Sequence, residues 1–158
     1  MELNELMTAF AETLGIEGIE VKEGICSMTI DDIPMEFTES PGGKAVVGVA
    51  VIGEPPPEKR EAFYEMLLEA NTQLYGTKGI ALGKSPDTGE IMLIGGLPFK
   101  GLELQEFCKD LDEFVSKAEE WREALENFRP AAEEAAVRDE EAAQFTRFGG
   151  NGPGFISV

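Results

Sequence analysis

The chain has 158 residues and no histidine, and its 31 acidic and 13 basic side chains give a formal net charge of −18. The lack of histidine removes the commonest general base, the commonest metal ligand and the central residue of a Ser-His-Asp triad. A polyanion of this size is repelled by nucleic acid and by anionic membrane surfaces. We therefore expect a binding protein that is not an enzyme, has no cofactor and binds neither nucleic acid nor a membrane.

The two cysteines and the apolar stretches indicate the compartment. Cys26 and Cys108 lie far apart in apolar contexts, which predicts reduced core residues of a cytoplasmic protein and not a disulfide. The longest apolar stretch, residues 45–52, is far too short to span a bilayer as a helix. We expect no membrane insertion.

The first predicted element is an amphipathic helix over residues 3–14. Apolar residues recur there every three or four positions, and Gly15 follows at the position of a left-handed cap. The other face of this helix is polar. The apolar face consists of Leu3, Leu6, Met7, Phe10 and Leu14.

Three strands are predicted next. Residues 25–30 and 33–38 form a hairpin around the tight turn Asp31-Asp32, and apolar residues alternate with polar ones in its second strand. The third strand, residues 44–52, is apolar at nearly every position. Such a strand is expected to be covered on both sides, either by helices of the same domain or by another polypeptide.

A second helix and two more strands follow a break at residues 53–57. The helix is predicted from the apolar stripe Phe63, Leu67, Ala70 and Leu74, and glycines at 76 and 79 end it. The strands, residues 80–84 and 90–94, are joined by a turn with strong turn chemistry, Ser-Pro-Asp-Thr-Gly.

The third predicted helix is the longest, with a heptad stripe from Leu104 to Phe128 that Pro130 closes. This stripe favours packing within the same domain, and a coiled coil with another chain is the alternative. Residues 130–158 are rich first in Ala and Glu and then in Gly, which predicts a flexible acidic tail.

The order α-β-β-β-α-β-β-α with short connections predicts an α+β domain over residues 1–129. We expect a twisted antiparallel sheet of about five strands with three helices packed on it. The acidic pair Asp31-Asp32, the Asp87–Glu90 turn and the glycines around Lys78 lack the spacing of metal or phosphate sites. They are interpreted as turns.

Several stretches, and the order of the elements over residues 1–128, resemble the Tir-chaperone-like, class I effector chaperones of type III secretion. Leu67-Leu68-Glu69-Ala70-Asn71 resembles the LL-x-x-N signature of their second helix. Residues 10–16 resemble the end of their first helix, residues 80–83 with 89–93 their last hairpin, and residues 114–122 their final helix. The tail is not part of that pattern.

The resemblance implies a non-catalytic homodimer in the bacterial cytoplasm. Such a chaperone binds the unfolded N-terminal segment of a secreted effector and keeps it soluble and competent for export. The alternative is a regulatory or adaptor protein of the same fold that binds a folded protein partner.

The resemblance also gives two sets of candidate residues. The apolar face of the first helix and the adjoining strands are expected to bind the partner, and the second helix with the fourth strand is expected to form the dimer contact. Intramolecular core is the alternative for both sets. The partner-binding set is Leu3, Leu6, Met7, Phe10, Met28, Met35 and Phe37, and the dimer set is Phe63, Leu67, Leu74, Ile80 and Leu82.

Overall fold

A computed structural model of the chain describes residues 2–17, 19–74, 80–99 and 103–128. The predicted tail, residues 130–158, and the glycines at 76 and 79 lie outside the described residues. The described helices and strands all belong to the unit Met1–Asn127. In chain order they are α1 (Leu3–Leu14), β1 (Glu20–Lys22), β2 (Ile25–Ile30), β3 (Ile33–Glu39), β4 (Ala45–Gly53), α2 (Arg60–Leu74), β5 (Ile80–Lys84), β6 (Ile91–Pro98) and α3 (Leu104–Glu126).

The strands form one six-stranded sheet in the order β1-β2-β3-β4-β6-β5, and every neighbouring pair is antiparallel. The predicted α+β class and the order of helices and strands are confirmed. The predicted number of about five strands missed β1. This strand has only three residues, one valine between two charged residues, so it carries no alternating apolar pattern that sequence analysis could detect.

The predicted hairpin between β2 and β3 is present. Asp31 and Asp32 have φ angles of 49° and 64°, in the left-handed region that a two-residue hairpin turn requires. Aspartate tolerates this region better than most residues because its short side chain can hydrogen-bond locally. The turn fixes the register at Ile30 opposite Ile33, so that the apolar residues of both strands share one face of the sheet.

Helix α3 packs against the centre of this face. Gly48 and Gly95 lie opposite each other on β4 and β6, and the absence of side chains leaves room for the Phe114 ring. A Cβ atom at Gly48 would lie 3.2 Å from that ring, and one at Gly95 would lie 3.0 Å from it. Phe114 also meets Phe37 edge to face, with the ring centroids 6.0 Å apart.

The predicted stripe of α3 lies partly within this core. Phe107, Leu111, Phe114 and Ala118 are buried within the single chain, as packing in the same domain predicts. The coiled-coil alternative is not needed for the middle of the helix. None of the helices in the described ranges is long and apolar enough to cross a membrane.

Candidate protein-binding surfaces

The residues predicted to bind the partner lie together in the core of the subunit. Alternate positions of β2 and β3 and one face of α1 bring them there, and none is more than 8% exposed. This position matches the alternative interpretation, intramolecular core. A direct contact with a partner stays a prediction, and it would require part of the core to open. The buried residues are Leu3, Leu6, Met7, Phe10, Met28, Met35 and Phe37.

The residues predicted to form the dimer contact are also mostly internal. Phe63, Leu67 and Leu82 are buried, and Ile80 is half-buried. Leu74 is the last residue of α2, and its side chain lies outside the described part of the chain. The three buried side chains stabilise the packing of α2 on the sheet, so a dimer contact in this region would have to use their exposed neighbours.

The most exposed large apolar side chain of the described residues is Leu68, at 69%. It follows the buried Leu67 on α2 and therefore points about 100° away around the helix. It borders a shallow groove of about 200 Å³ between α2 and the β5–β6 strands. Sequence analysis missed Leu68 because a Leu-Leu pair does not show which member faces the core. The groove is lined by Tyr64, Leu67, Leu68, Asn71, Leu82, Gly83, Lys84 and Ile91.

Asn71 connects α2 to the edge strand β5 through two hydrogen bonds. Its amide nitrogen donates to the Leu82 carbonyl oxygen at 2.9 Å, and the Leu82 backbone N–H donates to the Asn71 side-chain oxygen at 2.8 Å. The resemblance singled out Asn71 as part of a signature, and the structure gives it a specific contact.

Two exposed apolar residues lie at the opposite edge of the sheet. Val21 of β1 is 36% exposed, and Ile25 of β2 is 38% exposed. A cleft of about 460 Å³ runs beside β1, between the start of α1, the loop before β4 and Phe99. This edge therefore combines exposed apolar side chains with a concave surface.

The face of the sheet opposite α3 is also apolar at its centre. We call it the outer sheet face and define it as Val47, Val49, Val51, Met92 and Ile94. Val49 pairs with Ile94 and Val51 with Met92 across β4 and β6, so the side chains form one continuous patch. They are half-buried, whereas the alternate residues of the same strands are buried. Coverage of β4 on both sides was predicted, and only one side is fully buried here.

Burial raises the pKa of both cysteine thiols, Cys26 and Cys108, which disfavours a reactive thiolate. In the described ranges no group of three Cys, Asp or Glu side chains is arranged to hold a metal ion. The chain carries a large excess of negative charge. Two ion pairs lie along the surface of α3, from Lys117 to Glu120 and from Arg122 to Glu126.

One acidic contact stands out where the β2–β3 turn meets α3. The pKa of Glu119 is raised, first by a side-chain hydrogen bond to Asp31, then by burial, and then by the negative charges of Asp31 and Asp112. Carboxylates this close repel each other when both are ionised. This contact is an unfavourable one at neutral pH.

The sequence itself matches a known family. The Tir chaperone protein (CesT) family matches residues 5–122, which include all nine helices and strands of the described chain except the ends of α1 and α3. The chain therefore belongs to the Tir chaperone (CesT) family, and the resemblance seen in the sequence is confirmed. No curated protein sequence matches it significantly.

Solved structures with the same fold include a chain of a chaperone–effector complex. A chain of the HopA1–SchA chaperone–effector complex matches with a TM-score of 0.61 at 18% identity, over 77% of this chain and 93% of that one. A chain of the ExsC–ExsE complex matches with a TM-score of 0.64 at 19% identity, over 84% and 99%. A chain of the ExoT–SpcS complex from Pseudomonas aeruginosa matches with a TM-score of 0.52 at 19% identity, over 73% and 92%. At these identities the likeness establishes the fold.

Proposed function

We propose that this protein is a non-catalytic, homodimeric chaperone of the bacterial cytoplasm. It binds the unfolded N-terminal segment of a type III secreted effector and keeps that segment soluble and competent for export. The observation that carries the proposal is the family match over residues 5–122, which covers most of the folded unit Met1–Asn127. The similar chains in solved chaperone–effector complexes support it at the level of the fold.

The edge at β1 is the best candidate for the effector segment. Strand β1 pairs only with residues 25–27 of β2. The second half of β2 pairs with β3 on one side and has no strand neighbour on its outer side in the described chain. An extended polypeptide can add there as a strand, with main-chain hydrogen bonds for affinity and side-chain pockets for specificity. Val21, Ile25 and the adjoining cleft offer apolar contacts for its side chains.

The acidic surface suits a chaperone of an unfolded client. A net charge of −18 keeps the protein soluble despite exposed apolar side chains. An unfolded segment loses conformational entropy on binding, so a large contact area is needed to hold it. The charge around that area discourages association of one loaded chaperone with another.

Leu68 is the best candidate for the centre of the dimer contact. It is the most exposed large apolar side chain described and lies beside an apolar groove, and a stable dimer needs about 1,200–2,000 Å² of buried surface around such an anchor. Leu68→Glu should give a folded monomer in light scattering at micromolar concentration, where the wild type is a dimer. Leu14→Glu, which changes an exposed leucine at the end of α1, should stay dimeric.

The effector segment is tested by co-expression. The full chain is produced together with the N-terminal segment of an effector encoded by a neighbouring gene, and the purified complex is treated with protease. We expect a co-purifying fragment of several tens of residues that is protected in the complex and is digested when alone. A partner that resists protease by itself would favour a regulatory or adaptor role, and failure of every such segment to co-purify would contradict the proposal.

A further inference from the structure

The groove beside Leu68 continues into a second, more polar depression. This pocket of about 230 Å³ lies between the loop after β4, the start of α2 and the β5–β6 turn. Tyr64 and Lys84 line both the groove and the pocket. The two therefore form one concave surface that begins at an exposed leucine and ends among polar side chains.

Two cations converge on the pocket, Arg60 and Lys84. Both side chains are exposed, and the Lys84 ammonium lies 5.7 Å from the centre of the Tyr64 ring, which keeps it beside α2. Glu54 lines the pocket as well, but within the described ranges neither cation forms an ion pair with a carboxylate. On a chain with 31 acidic and 13 basic side chains, the pocket is thus a place where positive charge is in local excess.

Glutamates lie on the other side of Leu68. Successive residues of an α-helix are about 100° apart around its axis, so Arg60 lies about 80° from Leu68 on the side of the groove. Three exposed residues lie between about 20° and 100° from Leu68 in the other direction. We call them the acidic flank of α2, and they are Glu61, Glu65 and Glu69.

Leu68 therefore separates a cationic surface from an acidic one. In a two-fold dimer both subunits contribute the same patch, so this patch has to be complementary to itself. Two chains with a net charge of −18 repel each other, and two acidic flanks in contact would add to that repulsion. Opposite charges on the two sides of Leu68 allow the acidic flank of one subunit to face the cations of the other.

We propose that Arg60 and Lys84 bind the acidic flank of α2 from a second copy of this chain. The inference rests on the proposed dimer around Leu68 and adds the charge recognition that orients its two subunits. Because Lys84 forms no ion pair with the acidic flank inside one described subunit, a strong energetic coupling between them has to arise between subunits.

The test compares Lys84→Glu with the matched control Lys44→Glu, which makes the same change in net charge. Lys44 is also exposed. It precedes β4 and the pocket follows β4, so at the rise of a strand the two are about 30 Å apart. Sedimentation equilibrium measures the dissociation constant of the dimer at about 0.15 M salt, where charges more than about 8 Å apart are largely screened. Lys84→Glu should raise this constant about tenfold, since the two-fold axis repeats the contact, and Lys44→Glu should leave it within about twofold of the wild type.

A charge swap identifies the group that faces Lys84. Lys84→Glu is combined in turn with Glu61→Lys, Glu65→Lys and Glu69→Lys, each of which should also weaken the dimer or leave it unchanged when it stands alone. One of the three combinations should return the dissociation constant to within about threefold of the wild type, because the opposite charges are restored across the contact. Far-UV circular dichroism should show every variant folded, since all the substituted side chains are exposed.

The inference would be overturned by an unchanged dissociation constant in Lys84→Glu, by equal weakening in Lys44→Glu, or by a dimer that none of the three swaps restores. In each of these cases the wild type is a dimer, so the proposed function stands. A wild-type chain that is monomeric at micromolar concentration would instead contradict the proposed dimer, and this inference together with it.

Discussion

The two faces of the sheet have similar sequences and different surroundings. On β4 the residues Val46, Ala50 and Ile52 are buried, and the alternate residues Val47, Val49 and Val51 are only half-buried. Both sets are aliphatic, so hydrophobicity does not decide which set forms the core. The difference lies in the glycine pair Gly48 and Gly95, which gives α3 a close approach on one face only.

Both faces of the sheet are hydrophobic enough to be buried. The fit of α3 against the glycine pair decides which of them is covered. An aromatic ring on α3 fits into the space above two glycines, and close packing of this kind is what stabilises one arrangement over others. The outer sheet face has the right composition for burial but no pair of facing glycines on β4 and β6, since Gly96 lies opposite Val47. Its apolar side chains remain half-exposed in the single chain.

The largest loss of stability is expected on removal of the Phe114 ring, which packs against Gly48 and Gly95. Phe114→Ala should lower the free energy of unfolding by about 3–5 kcal/mol, because the side chain is fully buried and leaves a cavity. Urea unfolding followed by far-UV circular dichroism measures this. Ile94→Ala on the outer sheet face is the control and should cost much less, since Ile94 is only half-buried. Equal losses would show that both faces are core.

Sequence analysis predicted the layout of this fold but not its surfaces. The three helices and five of the strands follow from apolar periodicity and from turn residues such as Asp31-Asp32. Strand β1 was missed because three residues carry no pattern. The candidate binding residues at Met35 and Phe37 follow from the family resemblance, with intramolecular core as the alternative. Sequence alone does not decide between the two, because an apolar strand residue is buried by whatever covers its face of the sheet. Which member of the Leu67-Leu68 pair faces out depends on how α2 rests on β5, which is a tertiary contact.

A matched pair of glycine substitutions sharpens the comparison. At Gly48 a new methyl group would lie 2.9 Å from the Phe37 ring and 3.2 Å from the Phe114 ring, whereas at Gly96 nothing lies within 4 Å. Gly48→Ala should therefore cost about 1–3 kcal/mol through overpacking. Gly96→Ala should be neutral or stabilise by up to about 1 kcal/mol, because alanine restricts the unfolded chain. The melting temperatures of the two variants measure these changes in stability. A large loss of stability in Gly96→Ala would contradict an open outer sheet face.

The smallest change in stability is expected at the contact between two acidic side chains, Glu119 of α3 and Asp31 in the β2–β3 turn. The pKa of Glu119 is raised above its ordinary value of 4.5 in the folded state, first by the hydrogen bond to Asp31, then by burial, and then by the negative charges of Asp31 and Asp112. The folded state therefore binds this proton more tightly than the unfolded state does, so ionised Glu119 lowers stability at neutral pH.

Glu119→Gln should accordingly give a small gain in the free energy of unfolding at pH 7. The gain should shrink as the pH falls through the raised pKa of Glu119 toward 4.5, because wild-type Glu119 then becomes protonated in both states. Denaturant unfolding at several pH values measures the difference, with Glu123→Gln, an exposed residue of the same helix, as the control. A gain that is independent of pH would mean that helix propensity is responsible, because the contact with Asp31, the burial of Glu119 and the charge of Asp112 all act through the ionisation of Glu119.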